Sequence, residues 1–144
     1  MAREHILLFE NEKGLKRIIT LLLRQAKMKV TISDKAENAL DIIHSSRKRG
    51  DNVSAVIIDV SYPYPEGERL VRLLQNEEVH PPSIAITQYG NENDIIDGVR
   101  LYNNFSLLQA PFEPRDLFQS IKNATLRTDN LKVTSKKHNQ EEKS

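Results

Sequence analysis

The sequence predicts an α/β fold in which one parallel five-stranded sheet carries helices on both faces, and three observations predict it. Short apolar runs recur with little polar alternation, which is how strands read when a sheet is buried on both sides. Each run is followed by apolar residues at the three- and four-residue spacing of one helix face. Turn and stop residues separate the two kinds of segment, and right-handed crossovers between parallel strands distribute the helices over both faces.

His5-Ile-Leu-Leu-Phe9 is the first run, and Leu15, Ile18, Ile19, Leu22, Leu23 and Ala26 mark one face of the helix after it. Val30-Thr-Ile32 is the second strand. Ser33 or Asp34 is placed to cap a second helix that turns Ala36, Ala39, Leu40 and Ile43 inward and stops at Arg47-Lys-Arg-Gly50. Ala55 to Val60 is a fully buried third strand, with Leu70, Leu73 and Leu74 on the next helix. Ser83 to Thr87, entered after Pro81-Pro82, is the fourth, and Ile95, Ile96 and Val99 follow at helical spacing. Phe105 to Leu108 is the fifth strand. Pro114 suits the first turn of a last helix that buries Leu117, Phe118, Ile121 and Ala124. From Thr128 the only sizeable apolar residues are Leu131 and Val133, too few to offset the entropy of ordering. Residues 1–127 are therefore expected to form the domain and 128–144 a polar, disordered tail or linker.

Composition narrows the function classes. A chain of 144 residues can bury a core without disulfides or a structural metal, and the absence of cysteine excludes thiolate metal sites and a cysteine nucleophile. No apolar stretch approaches the ~20 residues that span a bilayer, and the N-terminus lacks a signal-peptide core. A cytoplasmic location without membrane association is expected. A net charge of +1 is no nucleic-acid footprint, so direct nucleic-acid binding is not expected. His5, His44, His80 and His138 lack ligand spacing and read as surface or loop residues. Arg47-Lys-Arg49 reads as a solvated helix end, and Tyr62-Pro-Tyr-Pro65 as a rigid loop.

Chemistry in such a sheet gathers at the carboxyl ends of its strands. The first strand delivers Glu10 and Asn11 there, the third Asp59, the fourth Thr87, and the fifth the Ala110-Pro111-Phe112 step. Carboxylates and an amide converging on one point call for a cation, and an all-oxygen set suits Mg²⁺. A hard divalent ion beside a carboxylate and a hydroxyl is equipment for phosphoryl transfer, which needs positioning and charge neutralisation. Plainer roles exist for the same residues. Asp59 can accept N–H bonds from its own turn, Asn11 is a good N-cap for the first helix, and Thr87 can be a β-branched strand terminator.

The stretches Ile6-Leu-Leu-Phe-Glu-Asn-Glu12, Val56-Ile-Ile-Asp-Val-Ser-Tyr-Pro-Tyr-Pro-Glu-Gly67, Ile84-Ala-Ile-Thr-Gln-Tyr-Gly90 and Leu108-Gln-Ala-Pro-Phe-Glu-Pro114 together resemble the receiver domain of two-component response regulators, over roughly residues 4–127. The spacing from Asp59 to Pro63 to Gly67 matches that family's acceptor aspartate, loop proline and glycine before the third helix. The resemblance implies a flavodoxin-like three-layer (βα)5 sandwich with strand order 2-1-3-4-5. It implies Asp59 as phosphoacceptor, Mg²⁺ held by Glu10, Asn11, Asp59 and the carbonyl of Ser61, Thr87 as the hydroxyl that contacts the phosphoryl group, and a cis Ala110-Pro111 peptide. The implied partners are a histidine kinase or phosphotransfer protein, a downstream protein, and a second copy meeting it through the fourth helix, fifth strand and fifth helix. No enzyme activity of its own is expected.

Four positions depart from the family pattern. Asn11 replaces one of two acidic residues, and two unit charges ~4 Å apart interact by about 4 kcal/mol at an effective dielectric near 20, so Mg²⁺ binding should be weak unless Glu12 or water compensates. Ala110 stands where the family carries a lysine. Gln109 is one step earlier and, by strand alternation, faces away. Gln88 replaces a very small residue, and Leu107 occupies the place of the aromatic switch partner of Thr87. The alternatives are thus an atypical phosphorylatable receiver, a pseudo-receiver that keeps only protein interaction, and a small nucleotide-binding enzyme. The last lacks a glycine-rich phosphate loop after the first strand.

Overall fold

Five pentapeptides form the sheet: β1 (His5–Phe9), β2 (Lys29–Ser33), β3 (Ala55–Asp59), β4 (Ser83–Thr87) and β5 (Phe105–Gln109). The computed structural model describes residues 3–61, 65–87 and 105–126. The expectations for Tyr62, Pro63, Tyr64, Gln88, the helix through Ile95, Ile96 and Val99, His138 and the tail lie outside the described residues. All strand pairs are parallel and the order is β2-β1-β3-β4-β5, as expected. Among the described residues, three helices, α1 (Lys13–Gln25), α2 (Ala36–Lys48) and α3 (Pro65–Gln75), lie between the strands, and a further helix, called the C-terminal helix below, covers 114–126.

Alternation along the strands divides the core in two. Leu7, Phe9, Val56, Ile58 and Ala85 pack against Ala36, Ala39 and Ile43 of α2 and Leu70, Val71 and Leu74 of α3. Ile6, Leu8, Ile57, Ile84 and Ile86 pack on the opposite face against Ile19 and Leu23 of α1 and Leu117, Ile121 and Ala124 of the C-terminal helix. The result is three layers, and β1, β3 and β4 are buried throughout because both of their faces are covered.

Several local expectations need correction. Ile18 does not face the core: it is 55% exposed, beside Leu21 at 58%. The buried arc of α1 centres on Ile19, Leu23 and Thr20, and Ile18 falls beyond its flank because one helix on one sheet face buries only part of its circumference. Ala26 is the helix C-cap and is exposed as well. Asn11 does not cap α1; Glu12 does, with its longer side chain folded back on the first turn. Neither Ser33 nor Asp34 caps α2, which starts after Lys35 with no side-chain cap of its own. The N–H of Ala36 instead donates to Glu66 Oε2 of α3 at 2.8 Å. The Gly50 stop holds, with φ of +76° and an N–H to the Arg47 carbonyl.

His5 is not a surface residue. Its ring is buried at the start of β1, with Nε2 at 2.8 Å from Thr31 Oγ1 and Nδ1 at 3.1 Å from the Asp51 carbonyl. It is a satisfied core histidine, tied to the Asp51–Lys29 ion pair at the amino edge of the sheet. His44 is a partly exposed residue of α2, within the surface-or-loop expectation, and bonds Glu77.

Candidate functional site

Chain order reverses between β1 and β3, since β2 lies on one side of β1 and β3 on the other. That switch point opens a crevice at the carboxyl edge. Phe9 pairs with Ile58, and one further step sets Glu10 level with Asp59. Asp59 pairs with Ile86, so Thr87 emerges at the same edge, and Thr87 pairs with Gln109 just before Ala110. The Ala110 N–H donates to the Thr87 carbonyl at 2.8 Å, and the Ala110-Pro111 peptide is cis, as expected. Glu10, Asp59, Thr87 and Ala110 therefore share one edge.

Asp59 is 3% exposed, and its Oδ1 accepts the Ser61 N–H at 2.8 Å. The turn that holds it is pressed against α3. A Cβ at Gly67 would lie 1.8 Å from the Asp59 carbonyl oxygen, so no side chain fits there. The family spacing picked out Gly67; this contact supplies its physical reason.

Glu10 is fully buried. Its Oε2 accepts the N–H groups of Asn11 at 3.0 Å and Glu12 at 3.1 Å. Oε1 is buried with no hydrogen-bond partner while Glu10 and Asp59 are both carboxylates; protonated, Glu10 can donate to Asp59. Burial, that hydrogen bond and the charge of Asp59, in that order, push the Glu10 carboxyl up to about 9, against the lowering effect of the two N–H donors. Thr87, 1% exposed, also buries an unpartnered oxygen, Oγ1. Unpartnered buried oxygens are uncommon, and two lie at the edge that carries Asp59.

The donor set fits a hard cation in part. A cation at this edge would favour the ionised form of Glu10, whose Oε1 then has no protein partner and is free to ligate. Among the described residues, however, no group of three or more His, Cys, Asp or Glu is placed to share a metal. Asn11 is exposed, and the Glu12 carboxylate is bonded to Gly14 and Leu15. Glu12 is therefore not available as the compensating ligand considered from the sequence. Leu107 lies on β5 opposite Ala85 and is partly exposed, and Gln109 is exposed. The roles of Glu12 and Glu66 escaped sequence reasoning because Asn, Ser and Asp outrank Glu as caps and Glu66 acts across thirty residues.

A family model described as the response regulator receiver domain matches residues 6–122. The chain is similar to YkoG, an uncharacterized transcriptional regulatory protein of Bacillus subtilis, at 28% identity over 133 residues, which is 92% of this chain and 55% of that protein. It is similar to the response regulator SaeR of Staphylococcus epidermidis at 25% over 139 residues, 96% of this chain and 55% of that protein. The chain thus spans about half the length of the curated relatives it matches. Among solved structures, a response regulator receiver domain from Clostridium thermocellum superposes with a TM-score of 0.73 at 23% identity, covering 89% of this chain and 98% of that one. The receiver domain of a sensor histidine kinase from Pseudomonas aeruginosa, whose active-site cleft coordinates a magnesium ion, gives 0.67 at 21%, covering 86% and 98%. At these identities the structural likeness concerns the fold.

Proposed function

The chain belongs to the response regulator receiver domain family, and from that premise we propose that it is a phosphorylatable switch of two-component signalling, atypical in its site, that takes a phosphoryl group on Asp59. The observation that carries this reading is a pair of buried oxygens at the edge that holds Asp59: Thr87 Oγ1, which has no partner, and Glu10 Oε1, which has none while Glu10 is ionised. An unpaired buried oxygen costs about 1–3 kcal/mol, so two at one edge are explained by groups that arrive there.

In this reading a carboxylate oxygen of Asp59 attacks phosphorus as the bond to the donor breaks. The electron pair leaves on the imidazole nitrogen of a phosphohistidine, or on the acetate oxygen of acetyl phosphate. The Ser61 N–H holds Oδ1 and fixes the carboxylate plane, and the Thr87 hydroxyl donates to a phosphoryl oxygen. Mg²⁺, when bound, supplies neutralisation of the phosphoryl and carboxylate charge. Glu10, Asp59 and the Ser61 carbonyl would hold it, with Asn11 as a neutral fourth donor, so affinity is weak.

The donor is a histidine kinase or phosphotransfer protein, and the output is a protein-binding face, which also serves a homodimer, built on β5 with Leu107 and the neighbouring helices. The domain acts as a signalling module in the cytoplasm, not as an enzyme. No helix among the described residues is long and apolar enough to cross a membrane.

Ala110 favours a second reading. No cation stands at the family's lysine position, and an interaction module that does not depend on phosphorylation has no need of one. Incubation with acetyl phosphate and Mg²⁺ followed by intact mass separates the two. A gain of about 80 Da that vanishes in Asp59→Asn supports the switch; an unchanged mass supports the interaction module.

A further inference from the structure

One acidic side chain at the carboxyl edge takes no part in the phosphoryl chemistry above. Glu12 is exposed, yet both of its carboxylate oxygens are engaged: Oε1 accepts the Gly14 N–H at 2.8 Å and Oε2 the Leu15 N–H at 2.7 Å, closing the first turn of α1. A Cβ at Gly14 would stand 3.1 Å from Glu12 Oε1, so the glycine leaves the carboxylate the room it occupies. The main chain of Glu12 is tied elsewhere. Its N–H donates to Glu10 Oε2 at 3.1 Å, beside the Asn11 N–H at 3.0 Å. Glu12 is thus a joint, with its side chain on the helix and its amide on the buried carboxylate.

That joint has a directional consequence. A carboxylate with one oxygen fixed by two loop N–H groups has its second oxygen aimed by the same bonds, and here the second oxygen is Oε1, unpartnered while Glu10 is ionised. We propose that Glu12 is the positioning residue of the cation site: it does not ligate the ion, and by clamping the 10–12 loop to the start of α1 it keeps Glu10 Oε1 turned to the site. The proposal rests on the reading of this edge as a cation and phosphoryl site. Mg²⁺ demands near-ideal octahedral geometry, so a ligand that swings loses affinity, and groups that orient metal ligands are worth about 10–100-fold in binding. With one carboxylate replaced by Asn11, more depends on the orientation of the other.

The test is Mg²⁺ titration of the full chain, followed by amide NMR shifts, for wild type, Glu12→Ala, Glu12→Ser and Glu10→Gln. Amide hydrogen exchange at Asn11 and Glu12 is measured without metal. Serine is a good N-cap without charge. Glu12→Ala should weaken Mg²⁺ binding roughly tenfold and speed exchange at both amides, whereas Glu12→Ser should stay within about threefold of wild type in both readouts. Equal losses of Mg²⁺ affinity in the Ala and Ser chains, with exchange unchanged, overturn the proposal in favour of a charge effect. Wild-type affinity in Glu12→Ala, with Glu10→Gln impaired, overturns it outright. A different result, no Mg²⁺ response in wild type or full binding in Glu10→Gln, overturns the cation reading itself.

Discussion

Gly67→Ala is the sharpest test of how the fold holds Asp59. The new Cβ would meet the Asp59 carbonyl oxygen at 1.8 Å and its carbon at 2.8 Å, where real contacts start at 3.0 Å. What must yield is backbone on both sides, the first turn of α3 and the end of β3, and neither has a rotamer to change. Overpacking of this kind costs about 1–3 kcal/mol, and alanine returns about 1 kcal/mol of helix propensity over glycine. Because backbone must move, the upper end of that range applies and the net loss is about 2 kcal/mol. With a urea slope of roughly 1–3 kcal/mol/M, the unfolding midpoint should fall by about 1 M. The displaced Asp59 should also take label from acetyl phosphate more slowly. A midpoint equal to or above that of wild type would show that α3 retreats freely and that Gly67 does not register Asp59.

Thr87→Val removes a buried hydroxyl that has no partner, so it should raise stability by roughly 1 kcal/mol while shortening the lifetime of any phosphoryl group on Asp59; a destabilised variant would mean the hydroxyl is satisfied in solution. Glu66→Ala deletes the acceptor that caps α2 from α3 and should cost about 1 kcal/mol, read as a lower urea midpoint, with Glu66→Gln retaining most of it because an acceptor oxygen remains. The Lys29 ammonium holds the Asp51 carboxyl below its ordinary value of 3.8, so the stability it contributes is present above that pH and is lost as pH falls through the lower folded value. The gap between wild type and Asp51→Asn in urea midpoint should therefore close on acidification, and a gap that widens contradicts the sign. Asn11→Asp with Ala110→Lys should tighten Mg²⁺ by at least about tenfold and speed labelling of Asp59, because one returns an anionic ligand and the other a cation beside the phosphoryl charge; labelling that stays at background would shift attention to Gln88.

The strands were legible because their composition answers to one physical demand. Runs such as Ala55 to Asp59 are buried on both faces, and no other common environment produces five consecutive apolar or edge-terminating residues between turns. Asp59 and Thr87 were legible for the same reason, since strand ends fix which residues reach the edge. The caps were not. A cap depends on where the chain leaves the strand and on what lies across the fold, so the extra reach of Glu12 and the contribution of Glu66 from α3 have no local signature. His5 was misread because spacing rules test for metal ligands and say nothing about whether Thr31 and Asp51 will be there to satisfy a buried ring.

The two functional readings differ in what they require of stability. An interaction module draws on a surface, and nothing in that task selects a buried carboxylate with an unpartnered oxygen or a buried unpaired threonine hydroxyl. Substitution by glutamine or valine would serve such a module at least as well, and total stability in a domain of this size is only about 5–15 kcal/mol. Thr87 Oγ1, which has no partner, and Glu10 Oε1, which has none while Glu10 is ionised, therefore weigh towards an edge that still receives ligands. Asn11 and Ala110 weigh towards a site that binds them loosely: one fewer anion for the metal and one fewer cation for the phosphoryl group. These are compatible if charge loss affects the rate of loading more than its possibility. Phosphoryl transfer depends on positioning as well as neutralisation, and the proposed transfer would draw on the Ser61 N–H on Asp59, the Gly67 contact and the two loop N–H groups on Glu10.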